Sequence, residues 1–213
     1  MKRITFTICA AFILLACNNS TTAESTNTSD TGTNTSTSSN AAMPDSATMM
    51  RNWQAYMTPS EPHKMMASWD GTWVGDMTMW MAPGAPPTKS TTTSVNKMVM
   101  GGRYQQSTHT GDFMGSPFNG MSTMAYDNIK KVFISTWIDN MGTGVMVMEG
   151  PWDSTSKTIT LKGKMVDPGV GKEIDVRETF RVIDNNNTVM EMYGAGPDGK
   201  EMKTMEIKYK RKN

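Results

Sequence analysis

Along residues 45–68 apolar side chains recur at helical spacing. Met49, Met50, Trp53 and Met57 share one face of a segment that Asp45 or Ser46 can cap and Thr58-Pro59 ends. Ser60 then opens a second short helix, EPHKMMASW, with Pro62 tolerated in its first turn. After Trp69 the period shortens. From Gly71 onward, short segments of β character are separated by turn chemistry, including Gly101-Gly102, Asp127-Asn128, Asp167-Pro168-Gly169 and Pro197-Asp198-Gly199. These separators delimit ten strands, at roughly 71–81, 88–100, 102–114, 117–127, 130–140, 143–152, 157–166, 172–183, 187–195 and 200–211.

Short, evenly spaced strands favour a meander in which each pairs with its sequence neighbour. Ten such strands must close or stack to hide their edges. The expected fold is therefore mainly β: a closed antiparallel up-and-down barrel of about ten strands with short N-terminal helices, a two-sheet sandwich being the alternative. A barrel of this size has room for a small ligand.

The first 44 residues follow different rules. Residues 1–17 pair Lys2 and Arg3 with a mostly apolar run too short to span a bilayer, ending Leu14-Leu15-Ala16-Cys17. This end resembles the lipobox of bacterial lipoproteins, which implies cleavage before Cys17 and its acylation. Residues 18–44 are rich in Ser, Thr and Asn, with no aromatic; they predict a disordered tether spanning roughly 30 Å. The folded domain is expected over 45–213. The implied location is the bacterial envelope, lipid-anchored and facing the periplasm, at the outer membrane in preference to the inner.

Composition narrows the function. With 21 Lys+Arg against 20 Asp+Glu the chain is nearly neutral, which argues against a nucleic-acid partner. Both cysteines, Cys9 and Cys17, precede the domain, so it holds no disulfide, Cys-zinc site or catalytic thiol. There are 23 Met, and Leu161 is the domain's one Leu. Pairs such as Met77/Met79, Met98/Met100, Met146/Met148 and Met190/Met192 place thioethers on one side of a strand. Met standing in for Leu as a pliable core residue is preferred over a soft Cu(I) site.

The stretch Gly71-Thr72-Trp73 after a short helix resembles the G-x-W start of calycin barrels, whose tryptophan plugs one end. More specifically, HKMMASWDGTW, MWMAPGAPPTKSTTTSVNKMVMGGRY, GDFMGSPFNG, AYDNIKKVFISTWIDNMGTG and ITLKGKMVDPGVGKEIDVRETFRVID resemble the bacterial family called domain of unknown function 1579. That resemblance implies a secreted calycin-like barrel. It implies no activity, and so carries over no functional residue. The opening GTWVG is also similar to haem-binding nitrobindin-like barrels, but residues 130–211 contain no His to act as the axial ligand there.

No nucleophile elbow or phosphate loop occurs, and His63 and His109 stand alone. No catalytic residue, metal site or cofactor is assigned, and a non-catalytic protein is favoured. Glu178 shares a strand face with Ile174, Val176, Phe180 and Val182, so it points inward as a ligand anchor, bridges to Arg103, or escapes through a bulge. Trp137 and Asp139 share a face with Phe133 and Ser135, while Val132, Ile134 and Ile138 make the other face equally apolar. The candidate ligand-binding residues are Trp73, Arg103, Trp137, Asp139 and Glu178. The expected function is binding a small, largely apolar ligand in the barrel. The alternative is a filled barrel with an unidentified protein partner outside.

Overall fold

The computed structural model describes residues 43–212, so the signal segment, Cys17 and most of the tether lie outside the described residues. Helix α1 spans Ser46–Met57 and is capped by the Asp45 carboxylate, which accepts from the Thr48 backbone N–H at 2.9 Å. Helix α2 spans Glu61–Ala67. The Ser60 N–H donates to His63 Nδ1 at 3.0 Å, giving His63 the reciprocal role that Glu or Gln fills in a capping box.

Eleven strands follow: β1 Gly71–Met79, β2 Thr88–Val99, β3 Tyr104–Phe113, β4 Ser116–Asp127, β5 Val132–Asp139, β6 Met146–Gly150, β7 Trp152–Asp153, β8 Thr158–Asp167, β9 Lys172–Asp184, β10 Asn187–Ala195 and β11 Glu201–Arg211. All pairings are antiparallel. Each strand pairs with its sequence neighbour except that β6 and β7 both pair with β8 and not with each other, and β1 closes the ring on β11. Strands β6 and β7 are one strand interrupted at Pro151, which has no N–H to give a ladder. The result is the expected closed ten-stranded barrel.

Helix α2 and the β1 entry close one end. Met66, Trp69, Trp73, Phe133, Ile159 and Leu161 form a buried cluster there, with Phe180 packed against it. The Trp73 indole N–H donates to the Trp69 carbonyl at 2.9 Å, and the Arg211 guanidinium lies 4.3 Å above the Trp73 ring. Arg211 also donates to the carbonyls of Ser68 (2.6 Å), Asp70 (2.5 Å) and Asn185 (3.0 Å), tying the last strand over the plug.

The methionine pairs divide. Met148 and Met79 are buried core residues, whereas Met81 and Met100 lie past the ends of their strands and are exposed. Met100 takes a positive φ of 51° in the β2–β3 turn, which breaks the same-face relation to Met98.

Candidate functional site

Burial and register fix which side of each strand faces the lumen. On β5, Phe133 and Ser135 are buried while Ile138 is exposed, so the face carrying Trp137 and Asp139 points inward, where sequence alternation left both faces open. On β9, Val176 is buried and pairing with β8 runs without a bulge through Glu178, which therefore also faces inward.

The lumen has two unlike walls. Strands β2 and β3 contribute Thr92, Ser94, Asn96, Gln105, Ser107 and His109, and β4 and β5 alternate Ser122 and Ser135 with Met124, Tyr126, Phe133 and Trp137. Strands β6–β11 and β1 contribute mainly Met148, Ile159, Leu161, Val176, Met192, Ile207 and Met79. On the polar wall, Ser94 Oγ lies 2.7 Å from His109 Nδ1, and Ser122 Oγ lies 3.3 Å from His109 Nε2. Burial pulls the His109 imidazole down to about 4. A Ser–His contact is present, but no carboxylate orients the ring and burial has removed its basicity, so it is a weak general base.

The Trp137 ring packs 5.0 Å from His109 and stacks on Phe118 at 6.2 Å. Its N–H donates to Asp139 Oδ2 at 2.7 Å, while Asp139 Oδ1 accepts the N–H groups of Met141 (2.9 Å) and Gly142 (3.1 Å). Asp139 thus orients Trp137 and anchors the β5–β6 loop at the end of the barrel away from α2. The ring also needs Gly120: a Cβ there would sit 2.6 Å from it.

Glu178 is placed differently. Its register neighbours are Leu161 on β8 and Met192 on β10. Among the described residues its carboxyl has no hydrogen-bond or ion-pair partner, and burial pushes it up to about 7. The residue nonetheless keeps part of its surface accessible from within the barrel. Beside it, burial pushes the Tyr209 phenol up to about 12; a hydrogen bond with Ser94 opposes this shift and the Glu178 charge adds to it. The Tyr209 ring fits because residue 75 is Gly, whose Cβ would sit 2.8 Å from it. A further interior hydroxyl, Ser90 Oγ, is buried without a partner.

Three of the five sequence candidates, Trp137, Asp139 and Glu178, face the lumen, and Trp73 forms its floor. Arg103 does not join them. It sits on the outer rim, where its Nε donates to the Met57 carbonyl and Nη1 to the Met100 carbonyl, both at 3.1 Å. The bridge from Arg103 to Glu178 is absent because the β2–β3 turn directs the guanidinium outward to α1. Sequence reasoning passed over Ser94, His109, Ser122 and Tyr209. The stretch Gln105, Ser107, His109 alternates with equally polar residues, so hydropathy gives no sign of which set is inside. Two grooves, of about 340 and about 300 Å³, lie beside α1.

The family described as "Protein of unknown function (DUF1579)" matches residues 58–211, from the end of α1 to the last residue of β11. The chain belongs to the DUF1579 family. No curated protein matches this DUF1579 chain. Among solved structures it is similar to Rv2717c from M. tuberculosis, at 13% identity and a TM-score of 0.57, over 73% of this chain and 100% of that one. At that identity the similarity concerns the fold alone.

Proposed function

We propose that this DUF1579 protein is a lipid-anchored envelope protein whose barrel holds a small, largely apolar ligand with one polar group. The observation that carries the reading is Glu178: an inward carboxyl in a ring of Leu161 and Met192, without a protein partner and with surface left accessible. In a filled barrel an apolar side chain at this position avoids the desolvation cost of a carboxyl. A ligand hydroxyl, amine or amide there supplies the missing partner, while Trp137 and the methionines supply pliable contact area. The anchor rests on the Leu14-Leu15-Ala16-Cys17 sequence.

Native mass spectrometry of the chain purified gently from its own envelope tests the reading. A reproducible added mass, lost on denaturation and absent from Glu178→Leu, is expected. A bare mass across repeated preparations overturns it in favour of a filled barrel. That second reading draws on the two grooves, which lie outside the lumen.

A further inference from the structure

Helix α1 is amphipathic but has no buried residue. Met49, Met50, Trp53, Tyr56 and Met57 fall within one helical face and are all exposed, Met50 at 71% and Trp53 at 61%. The helix is held at its C-terminal end by two turns of the barrel. Asn128 Nδ2 donates to the carbonyls of Ala55 (3.2 Å), Tyr56 (3.2 Å) and Thr58 (2.8 Å), and Arg103 Nε donates to Met57. Each of these turns also ends in an exposed apolar tip beside basic residues: Met100 (72%) next to Arg103, and Ile129 (71%) next to Lys130 and Lys131. On α1 itself the cation, Arg51, lies on the opposite side of the helix, donating to Thr48 Oγ1 at 2.7 Å. Three separate elements on one side of the α2 end therefore present apolar side chains, and the two turns add flanking cations.

We propose that α1 and the 100–103 and 128–131 turns form one face that docks on the surface of a lipid bilayer. Trp, Tyr and long apolar tips beside Lys and Arg are the side chains that settle at the headgroup boundary. Once the segment before Cys17 is removed, as the anchor reading requires, the chain's own N-terminal region does not supply another occupant. Between residues 18 and 42 its apolar side chains are no larger than Ala, too little to cover Trp53, Tyr56 and Ile129. The position along the chain points the same way, because this tether enters the domain directly at α1. The proposal rests on the anchor reading in one respect: a lipid at Cys17 holds the face near the bilayer at an effective concentration on the order of millimolar, at which weak interfacial affinity suffices.

The test uses the full chain reconstituted into phosphatidylethanolamine–phosphatidylglycerol vesicles. Nitroxides are placed at Met50→Cys and Ile129→Cys, with Lys200→Cys at the opposite end of the barrel as reference. Intact mass reports acylation of Cys17 separately. Labels at 50 and 129 are expected at headgroup depth, with collisions with a water-soluble relaxant reduced several-fold relative to 200. Adding Trp53→Ser and Tyr56→Ser is expected to restore most of that accessibility while the acylated chain still floats with vesicles. Labels at 50 and 129 as aqueous as at 200 on an acylated chain overturn docking and leave the anchor standing. Labels inserted on a chain without acylation, repeated with Cys9 and Cys17 replaced by Ser, uphold docking and reject the anchor. Spin–spin broadening between chains in the absence of lipid overturns docking in favour of a second copy on this face.

Discussion

The two walls of the barrel solve different problems. Strands β6–β11 and β1 bury Leu161, Ile159, Val176 and Ile207, ordinary apolar packing against the plug. Strands β2 and β3 turn Asn96, Gln105, Ser107 and Ser94 inward instead. For Asn96 and Gln105 the reason lies in the plug. Helix α2 ends inside the barrel, leaving carbonyls without intrahelical donors. Gln105 Nε2 donates to the Met66 carbonyl at 2.6 Å and to Asp70 Oδ1 at 2.8 Å, and Asn96 Nδ2 donates to the Trp69 carbonyl at 3.1 Å. Asp70 Oδ2 in turn accepts the Met98 N–H at 2.9 Å. Two residues of the polar wall, Asn96 and Gln105, therefore serve the end of the buried helix, while Ser94 and Ser122 hold His109 and Thr92 donates to the Thr110 carbonyl. On the apolar wall Thr188 is buried as well, but Glu178 is the carboxyl there and has no such task.

The comparison breaks most visibly at its apolar side. Leu161→Ala is expected to destabilise the barrel by about 3 kcal/mol, since a fully buried side chain leaves a cavity among Trp69, Trp73 and Phe133. Urea melts measure it, and a loss under 1 kcal/mol means that this wall is not packed as described.

Titration sharpens the contrast next. Glu178 is raised in the folded state to about 7 from 4.5, so its contribution is full below about 4.5 and is lost as pH rises through 7. His109 is depressed to about 4 from 6.5, so its contribution is full above about 6.5 and is lost as pH falls through 4. Between pH 4.5 and 6.5 the two slopes oppose and largely cancel in the parent protein. Relative to the parent, Glu178→Gln is expected to gain stability as pH rises across Glu178's window, and His109→Gln to gain as it falls across that of His109. Each difference approaches roughly 3 kcal/mol at the far side of its window. Comparing parent with variant removes the surface carboxylates common to both. Parallel stability–pH curves for parent and Glu178→Gln contradict the inward placement of that carboxyl.

On the polar wall, Gln105→Leu is expected to cost about 2 kcal/mol despite adding apolar surface, because the Met66 carbonyl and the Asp70 carboxylate lose their shared donor. A neutral or stabilising result removes the explanation given above for a polar side chain at this position. The smallest effect belongs to Gly120→Ala, at about 1 kcal/mol, with the Trp137 ring displaced from Phe118 and His109. Near-ultraviolet circular dichroism reads the displacement, and an unchanged spectrum argues against the packed aromatic stack.

Much of the fold was legible because its signals are local. Turn residues such as Gly101-Gly102 and Asp167-Pro168-Gly169 stop strands wherever they occur, and the ten predicted segments match the observed strands to within a few residues. The interruption at Pro151 lay inside one predicted strand, since losing one ladder donor bends a strand without ending the segment's β character. The Trp73 plug was legible through the resemblance of the helix and Gly71-Thr72-Trp73 to the start of calycin barrels.

The lumen was less legible. For Glu178 four apolar neighbours on its face made an inward position one reading, with a bulge left open that only the β8–β9 register excludes, whereas His109 gave no such sign, lying among Ser, Thr and Gln on both faces. Arg103 was misplaced because a side chain in a turn belongs to no alternating face. By itself the sequence determined where strands begin and end and that they pair in order; both follow from backbone conformations set within a few residues. Tertiary structure alone decided that Asn96 and Gln105 receive the plug's carbonyls, that Ser94 and His109 meet inside the barrel, and that Tyr209 and Glu178 face the same interior. Those groups come from β2, β3, β11 and β9, and only closure of the ring brings strands so far apart in sequence into one interior.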